Sequence, residues 1–215
     1  MFTGLVEKVG SIGSVSPLGE GKRLMIQVPE LWGSVQIGDS ISVDGVCSTV
    51  ISKTDSSFEV DYLRETLNKT TVSDWQQGSV VNLERCVTPT THLGGHIVSG
   101  HVDAKGTVSR FEKRGEWHEV EITFSDEFAP LVIEKGSIAL NGISLTLVDV
   151  TTTSFVCHLI PHTISHTSLQ AISTGDSVNL EFDIIGKYLL RFHQLGEIKK
   201  PDMKTILSES GFKHE

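Results

Sequence analysis

Two histidines in a glycine-rich segment are the first candidates for chemistry in this chain. The segment is Gly94-Gly-His-Ile-Val-Ser-Gly-His101, and its histidines are His96 and His101. An imidazole titrates near neutrality, which suits acid–base catalysis, and glycines let the backbone approach a ligand closely. The alternative is that both are hydrogen-bonded histidines in a barrel wall. Their spacing fits no metal-binding motif, so we predict an acid–base site and no metal.

Two further candidates are Cys47 and Ser144, each just after an Asx-Gly step and each followed two residues later by Thr49 or Thr146. Residues i and i+2 of a strand share a face, so each pair should line one side of a sheet. A thiol or hydroxyl there could act as a nucleophile or bind a ligand by hydrogen bonds. The alternative is a barrel wall whose small residues fill a tapering interior.

The stretches around these two residues are copies of one another. Residues 40–51 match residues 137–148 position by position at a spacing of 97, and residues 3–6 match residues 99–102 at a spacing of 96. Apolar residues alternate with small or polar ones on both sides of the Asx-Gly step, which predicts a β-hairpin. The chain is therefore a tandem duplication. The first copy has a leucine where the second has His101, so the copies should share a fold but not all of their chemistry.

About six short strands per copy, separated by turn residues, predict an all-β fold. Each copy should be a closed, six-stranded antiparallel barrel, because closure removes exposed strand edges. We place the N-terminal barrel at residues 1–92 and the C-terminal barrel at residues 93–186. After Gly186, apolar residues at 188, 189, 192 and 195 have helical spacing, and so short a helix needs a packing partner. We therefore predict an oligomerisation helix and a polar tail over residues 187–215.

The bulk composition excludes several functional classes. The 215 residues carry a net charge of −9 without a run of Lys or Arg, which argues against nucleic-acid and anionic-membrane partners. The N-terminus lacks the features of a signal peptide, and no apolar run approaches the ~18 residues of a membrane span. The three cysteines are odd in number and scattered, which argues against a disulfide framework. We therefore expect a cytoplasmic protein.

Seven motifs follow one another in order from Met1 to about His193. They are Met1-Phe-Thr-Gly-Leu-Val-Glu7, Asp44-Gly-Val-Cys-Ser-Thr-Val50, Glu65-Thr-Leu67, Gly94-Gly-His-Ile-Val-Ser-Gly-His101, Asn141-Gly-Ile-Ser-Leu-Thr146, Leu159-Ile-Pro-His-Thr163 and Asp183-Ile-Ile-Gly-Lys187. Together they resemble the riboflavin synthases of the alpha-chain type, whose fold is a duplicated lumazine-binding β-barrel.

The resemblance implies a transferase that needs no cofactor. The reaction would be a dismutation, in which one 6,7-dimethyl-8-ribityllumazine gives a four-carbon unit to another and yields riboflavin and 5-amino-6-(D-ribitylamino)uracil. The resemblance also implies a homotrimer, with each working site between the N-terminal barrel of one subunit and the C-terminal barrel of the next, and an association with lumazine synthase. The competing interpretation is a non-catalytic antenna protein of the same fold that binds lumazine or flavin.

By the same resemblance, each barrel would hold one lumazine. The N-terminal pocket would use Thr3, Gly4, Leu5, Val6, Cys47, Ser48, Thr49, Asp61, Tyr62, Leu63, Arg64, Glu65 and Thr66. The C-terminal pocket would use Gly100, His101, Val102, Lys135, Ser144, Leu145, Thr146, Leu159, Ile160, Pro161, His162, Thr163 and Ile164.

The implied reaction needs a base for the acidic 7-methyl group of one lumazine and a nucleophile at C7 of the other. His101 is our first candidate for the base and His96 our second. The nucleophile could be Cys47, Ser144 or water, and Asp183 could orient one of these groups.

Two residues depart from the family pattern Asn-Gly-Val-Cys-Leu-Thr, because this chain has Asp44 and Ser48. An aspartate still suits the turn. Ser48 should face away from Cys47, so we expect activity to survive both changes.

Overall fold

A computed structural model describes residues 1–30 and 32–195 of the chain. The polar tail predicted at the C-terminus lies outside the described residues. The fold is mostly β, as predicted, with one antiparallel sheet built from each copy.

The first copy forms a curled, seven-stranded sheet in the order β4-β3-β7-β1-β2-β6-β5. Its strands are β1 (Lys8–Leu18), β2 (Gly21–Gln27), β3 (Ser40–Val43), β4 (Val46–Thr49), β5 (Ser52–Lys53), β6 (Ser57–Tyr62) and β7 (Val80–Arg85). Helix α1 (Arg64–Lys69) and a 3-10 helix (Thr71–Asp74) follow β6. We predicted six strands in a closed barrel, but one of those strands is divided into β4 and β5. Between β4 and β5, the backbone N–H groups of Val50 and Ile51 donate to Asp39 O and Glu59 O, both at 2.9 Å. The two edges of the sheet are thus consecutive pieces of chain.

The second copy is the predicted closed six-stranded barrel, in the order β10-β11-β12-β9-β8-β13. Its strands are β8 (Ala104–Arg114), β9 (Trp117–Thr123), β10 (Ser137–Leu140), β11 (Ile143–Val150), β12 (Ser154–Leu159) and β13 (Ser177–Phe182). Helix α2 (Pro161–Ser165) follows β12, and 3-10 helices lie at Asp126–Leu131 and Ser168–Ala171. In β11 a bulge between Leu147 and Asp149 keeps the strand continuous where the first copy is divided.

The two predicted hairpins are confirmed. Asp44 and Gly45 have φ of +44° and +83°, and Asn141 and Gly142 have φ of +46° and +77°. Positive φ at both central residues is the conformation of a type I′ turn, which explains the Asx-Gly sequence at both places.

Each sheet encloses its own apolar core, but the segments preceding β1 and β8 cross to the other copy. Val6 packs against the second core and Val102 against the first. Phe2 and Val98 form an antiparallel bridge between these segments, with N–O distances of 2.7 and 3.1 Å. We call residues 3–6 the first crossing segment and residues 99–102 the second. The domain boundaries at 92/93 and 186/187 stay predictions.

Helix α3 (Ile184–Gln194) occupies the predicted place and begins three residues earlier than residue 187. Asp183 caps it, since Asp183 Oδ1 accepts a hydrogen bond from Ile185 N at 2.9 Å. The predicted apolar face is 58–65% exposed at Tyr188, Leu189, Phe192 and Leu195. Within the described residues, no helix is long and apolar enough to cross a membrane.

Candidate active site

The two candidate nucleophiles lie on the outer faces of their sheets. Cys47 and Ser144 are half-buried, and Thr49 and Thr146 are exposed, whereas Ser48 between the first pair is only 2% exposed. The i, i+2 alternation was therefore predicted correctly. The interpretation of these residues as filling of the barrel interior was wrong, because the interior is filled by the alternate residues of β4 and β11.

Each candidate nucleophile is bonded to the crossing segment of the other copy. Ser144 N donates to Gly4 O and Cys47 N donates to Gly100 O, both at 2.8 Å. A Cβ atom on Gly4 would lie 2.6 Å from the Cβ of Ser144, and one on Gly100 would lie 2.6 Å from that of Cys47. Both glycines also have positive φ, +78° and +82°. Only glycine fits these approaches.

These contacts differ from the grouping of pocket residues that the resemblance implied. That grouping put the first crossing segment with Cys47 and the second with Ser144. The chain exchanges them, because each crossing segment packs on the opposite core. We therefore define the serine pocket as Ser144, Thr146, His96 and residues 4–6, and the cysteine pocket as Cys47, Thr49 and residues 100–102.

His96 contacts Ser144 directly. Its Nδ1 lies 2.7 Å from Ser144 Oγ, and its Nε2 is buried without a hydrogen-bond partner among the described residues. Burial lowers the pKa of His96 below 6.5, although the negative charge of Asp183 opposes this. The imidazole is therefore neutral near pH 7. In the tautomer protonated at Nε2, Nδ1 can accept the proton of the Ser144 hydroxyl.

His101 has a different environment. Its side chain is exposed, and both its Nδ1 and its backbone N lie near Ser99 Oγ, at 3.1 and 3.2 Å. It directly follows Gly100, whose carbonyl is bonded to Cys47. The two histidines are thus divided between the pockets, His96 to the serine pocket and His101 to the cysteine pocket.

Two buried glutamates that the sequence analysis did not select hold the crossing segments. Glu84 accepts hydrogen bonds from Thr3 N, Thr3 Oγ1 and Gly4 N at 2.6, 2.6 and 3.0 Å. Glu181 accepts the equivalent bonds from Ser99 and Gly100 at 2.6, 2.7 and 2.9 Å. The signal for them was present, because Val-Asn-Leu-Glu occurs in both β7 and β13, and a charged residue inside a repeated strand needs a buried partner.

Most of the remaining predicted site residues lie at the ends of β6 and β12 or just after them, and Leu145 lies in β11. The side chains of Tyr62 and Leu159 are buried in the two cores. The half-buried residues are Asp61, Thr66, Leu145, Thr163 and Ile164. The exposed residues are Leu63, Arg64, Glu65, Ile160, Pro161 and His162. The exposed Leu63 and Ile160 occupy the same position in the two copies, so an apolar side chain faces solvent just before α1 and just before α2.

Polar contacts distinguish the end of β6 from the end of β12. Asp61 makes a two-point ion pair with Arg23, at 2.8 and 2.9 Å, and the guanidinium lowers the pKa of the Asp61 carboxyl. Ser48 Oγ donates to Val46 O and lies 2.6 Å from the Tyr62 hydroxyl. Burial raises the pKa of Tyr62, so its hydroxyl stays protonated. Ser48 faces away from Cys47, as predicted.

Lys135 has a backbone conformation that is rare for a lysine. Its φ is +64°, while its counterpart Gly38 has φ of +95°. Both backbone N–H groups make the same bond, to Leu147 O at 2.9 Å and to Val50 O at 2.8 Å. A non-glycine residue held at positive φ is strained, and such strain is concentrated at functional sites. The side chain of Lys135 is exposed, and its Nζ lies 3.8 Å from Glu134 Oε1.

The two hairpin turns meet at the junction of the copies. A Cβ atom on Gly45 would lie 2.8 Å from Gly142 N, so the backbones are in direct contact. Asp44 Oδ1 accepts a hydrogen bond from Asn82 N at 2.7 Å, and Asp44 O accepts one from Asn179 at 2.9 Å. Burial raises the pKa of the Asp44 carboxyl to about 7.

Comparison with known proteins follows the duplication. A family model described as "Lumazine binding domain" matches twice, over residues 3–86 and 99–183. A riboflavin synthase of Bacillus subtilis (strain 168) is 39% identical and covers 99% of this chain and 100% of its own length. A riboflavin synthase of Actinobacillus pleuropneumoniae is 40% identical, with coverage of 94% and 92%. One of Mycobacterium tuberculosis (strain CDC 1551 / Oshkosh) is 40% identical, with coverage of 89% and 97%.

Solved structures with a similar fold include LumP in two complexes. LumP complexed with 6,7-dimethyl-8-(1'-D-ribityl) lumazine has a TM-score of 0.77, and LumP complexed with riboflavin has one of 0.79. Both are 23% identical to this chain and cover 85% of it and 99% of their own length. At this identity the likeness concerns the fold alone.

Proposed function

The chain belongs to the riboflavin synthase family, and from this membership we propose that its serine and cysteine pockets each bind one 6,7-dimethyl-8-ribityllumazine. It is an enzyme that transfers a four-carbon unit, and the reaction is the dismutation of two such lumazines to riboflavin and 5-amino-6-(D-ribitylamino)uracil. The observation that carries the assignment of the pockets is the division of nucleophiles and histidines, one of each per pocket.

A duplicated pocket suits this reaction because both reactants are the same molecule. Two similar sites on one framework bind two copies of one substrate, and holding both converts a chance encounter into a near-unimolecular step. The bonds from Gly4 O to Ser144 and from Gly100 O to Cys47 give the two sites the same backbone frame. The exposed Leu63 and Ile160, at the same position of the two copies, each offer an apolar surface to a planar ring.

In the serine pocket, Ser144 supplies the nucleophile and His96 accepts its proton. The hydroxyl oxygen adds to C7 of the lumazine, the π bond at C7 opens and its electron pair moves into the conjugated ring, and the hydroxyl proton passes to His96 Nδ1 over the 2.7 Å contact. A neutral imidazole is required for this step, and the burial of His96 provides it. Asp183 then stabilises the imidazolium that forms.

In the cysteine pocket, His101 removes a proton from the 7-methyl group of the other lumazine. Among the described residues its exposed imidazole hydrogen-bonds only to Ser99 Oγ, through Nδ1, so Nε2 is available to the substrate. An imidazole nitrogen with a free lone pair can act as a general base. Cys47 lies beside the ring in this arrangement and binds it rather than attacking it.

The working site is completed between subunits of a homotrimer. Three cavities of about 490–530 Å³ lie on the described part of the chain, and none of these three is lined by Cys47, Ser144, His96 or His101. The exposed apolar face of α3 offers a surface for assembly. We infer that α3 holds the subunits together and that the cysteine pocket of one faces the serine pocket of the next.

Substitution of the apolar face of α3 tests this arrangement. Leu189→Glu together with Phe192→Glu should give folded monomers that bind lumazine but make no riboflavin, as measured by sedimentation, lumazine titration and riboflavin absorbance. The matched control, His193→Glu with Gln194→Glu, changes exposed residues of the same helix outside that face and should leave a trimer with normal turnover. Monomers with undiminished turnover would show that one chain completes the site alone. Unsubstituted protein that binds lumazine without turnover would instead identify an antenna protein.

The proposal also includes a partner protein and a cellular location. An association with a lumazine synthase is testable by co-sedimentation of the two proteins. Cys47, Cys86 and Cys157 are all unpaired, which supports a reducing compartment and hence a cytoplasmic location.

A further inference from the structure

We propose that Glu84 and Glu181 are positioning residues whose action is crossed, each aligning the pocket whose nucleophile belongs to the other copy. This inference rests on the proposed function of the two pockets. It assigns a role to two side chains that touch neither of the candidate nucleophiles.

The path from Glu84 leads to the serine pocket. The carboxylate on β7 is 5% exposed and fixes the N–H groups of Thr3 and Gly4. The carbonyl of Gly4 then accepts a bond from Ser144 N at 2.8 Å, and the carbonyl of Thr3 accepts one from His96 N at 3.1 Å. One carboxylate thus sets the positions of both partners in the Ser144–His96 contact through two residues of chain.

The path from Glu181 leads to the cysteine pocket. This carboxylate on β13 is 2% exposed and fixes the N–H groups of Ser99 and Gly100. Gly100 O accepts the bond from Cys47 N at 2.8 Å, and Ser99 Oγ accepts one from His101 N at 3.2 Å. The hydrogen-bond arrangement around Glu181 is the same as that around Glu84, with the two copies exchanged.

Proximity along the sheet would predict the opposite assignment. In the sheet register, Ser42 pairs with both Cys47 and Glu84, so these two lie in one row of the same sheet. A glutamate that stabilised only its own barrel would therefore affect Cys47 when Glu84 is changed. The hydrogen bonds instead connect Cys47 to Glu181 on the other barrel, so the two readings give different results in one experiment.

Glutamine is the appropriate substitution. Each carboxylate accepts three hydrogen bonds with two oxygens, whereas an amide has one oxygen and presents donors at the other position. Glu84→Gln and Glu181→Gln therefore leave one N–H of the crossing segment without an acceptor while they preserve side-chain size. The two variants serve as controls for each other, since they make the same change in equivalent strands.

The first measurement is the rate at which iodoacetamide alkylates Cys47, followed by peptide mapping. Glu181→Gln should change this rate about fivefold, the effect of one lost hydrogen bond, and Glu84→Gln should change it less than about twofold. A larger effect from Glu84→Gln, or equal effects from both, would overturn the crossed assignment. The readout needs no turnover, so it remains valid even if the proposed reaction were wrong.

The second measurement is the NMR titration of the His96 imidazole, assigned with His96→Asn. Here Glu84→Gln should raise the His96 pKa toward its ordinary value, because a loosened crossing segment admits water. Glu181→Gln should leave the His96 pKa unchanged. A shift caused by Glu181→Gln and not by Glu84→Gln would contradict the proposal. If either glutamine variant fails to fold, Thr3→Val and Ser99→Ala delete the hydroxyl that donates to the carboxylate and that also accepts from Leu5 N or His101 N. They should show the same crossed pattern with smaller effects, and an uncrossed pattern would again overturn it.

Discussion

Cys47 and Ser144 occupy equivalent positions in the two barrels, yet their surroundings differ. Both donate a backbone hydrogen bond to a crossing glycine at 2.8 Å, so the frame is the same. Ser144 is paired with a buried His96, whereas the crossing segment beside Cys47 carries the exposed His101. The backbone hydrogen bonds to the crossing glycines are the same in both copies, whereas the side chains around the two nucleophiles differ.

The same rule holds at four other paired positions. Asp183, which caps α3, stands where the first copy has the half-buried Cys86. Asp44 stands opposite Asn141 at the junction of the turns. The hydrogen-bonded Ser48 and Tyr62 stand where the second copy has two leucines, at positions 145 and 159. Substitutions at the positions that differ test how far the two copies have diverged.

The largest effect should come from His101, which has no counterpart in the first copy. His101→Ala should lower turnover by about 10²–10⁴-fold, because it removes a general base, while lumazine binding persists. His158→Ala, which removes another exposed histidine from β12 outside both pockets, is the control and should turn over normally. A loss of less than about threefold would transfer the role of base from His101 to His96 or water.

The next effect should separate the two candidate nucleophiles. Ser144→Ala should lower turnover by about 100-fold, since it removes the group whose proton His96 accepts. Cys47→Ser should have a smaller effect, because a hydroxyl keeps the size and polarity that binding requires. Steady-state rates and lumazine titrations of both variants check this. A greater loss in the cysteine variant would reverse the roles that we assign to the two pockets.

A smaller effect, on stability and its pH dependence, should come from the buried Asp44. Its pKa of about 7 in the folded protein exceeds the ordinary 3.8, so the native state holds its proton while the unfolded state loses it. Native stability therefore falls as the pH rises from about 4 to 7 and then levels off. Asp44→Asn should abolish this loss and stabilise the protein at pH 8 by roughly 2–4 kcal/mol, with little effect near pH 4.

Urea unfolding at several pH values measures this difference. The mirror substitution Asn141→Asp should impose a similar loss of stability on the other turn. If Asp44→Asn gained no stability between pH 4 and 8, the Asp44 carboxyl would be ionised at little cost in the native state.

The smallest effect should come from the Ser48–Tyr62 pair. Ser48→Ala or Tyr62→Phe should each cost about 1 kcal/mol, because each leaves a buried hydroxyl with fewer partners. The double variant Ser48→Ala/Tyr62→Phe should cost less than the sum of the two single changes. Additive losses in thermal unfolding would show that the 2.6 Å contact contributes nothing of its own.

Much of the fold could be predicted from local sequence. The 97-residue spacing, the alternation of apolar residues and the two Asx-Gly turns indicated two similar antiparallel barrels. The helical spacing after Gly186 indicated α3, and the i, i+2 rule placed Cys47 with Thr49 and Ser144 with Thr146. These features depend on neighbours a few residues apart, whose geometry the backbone itself dictates.

The composition of the pockets was decided only by the tertiary structure. The sequence assigned each crossing segment to its own copy, but Gly4 lies 140 residues from its partner Ser144, and no local pattern encodes that contact. Glu84 and Glu181 were overlooked for the same reason. Each carboxylate holds a crossing segment only because the fold brings the distant backbone of that segment within hydrogen-bond distance. The sequence determined the duplication, and with it two sites that share the same backbone hydrogen bonds. The exchange of crossing segments between the copies determined which histidine lies beside which nucleophile.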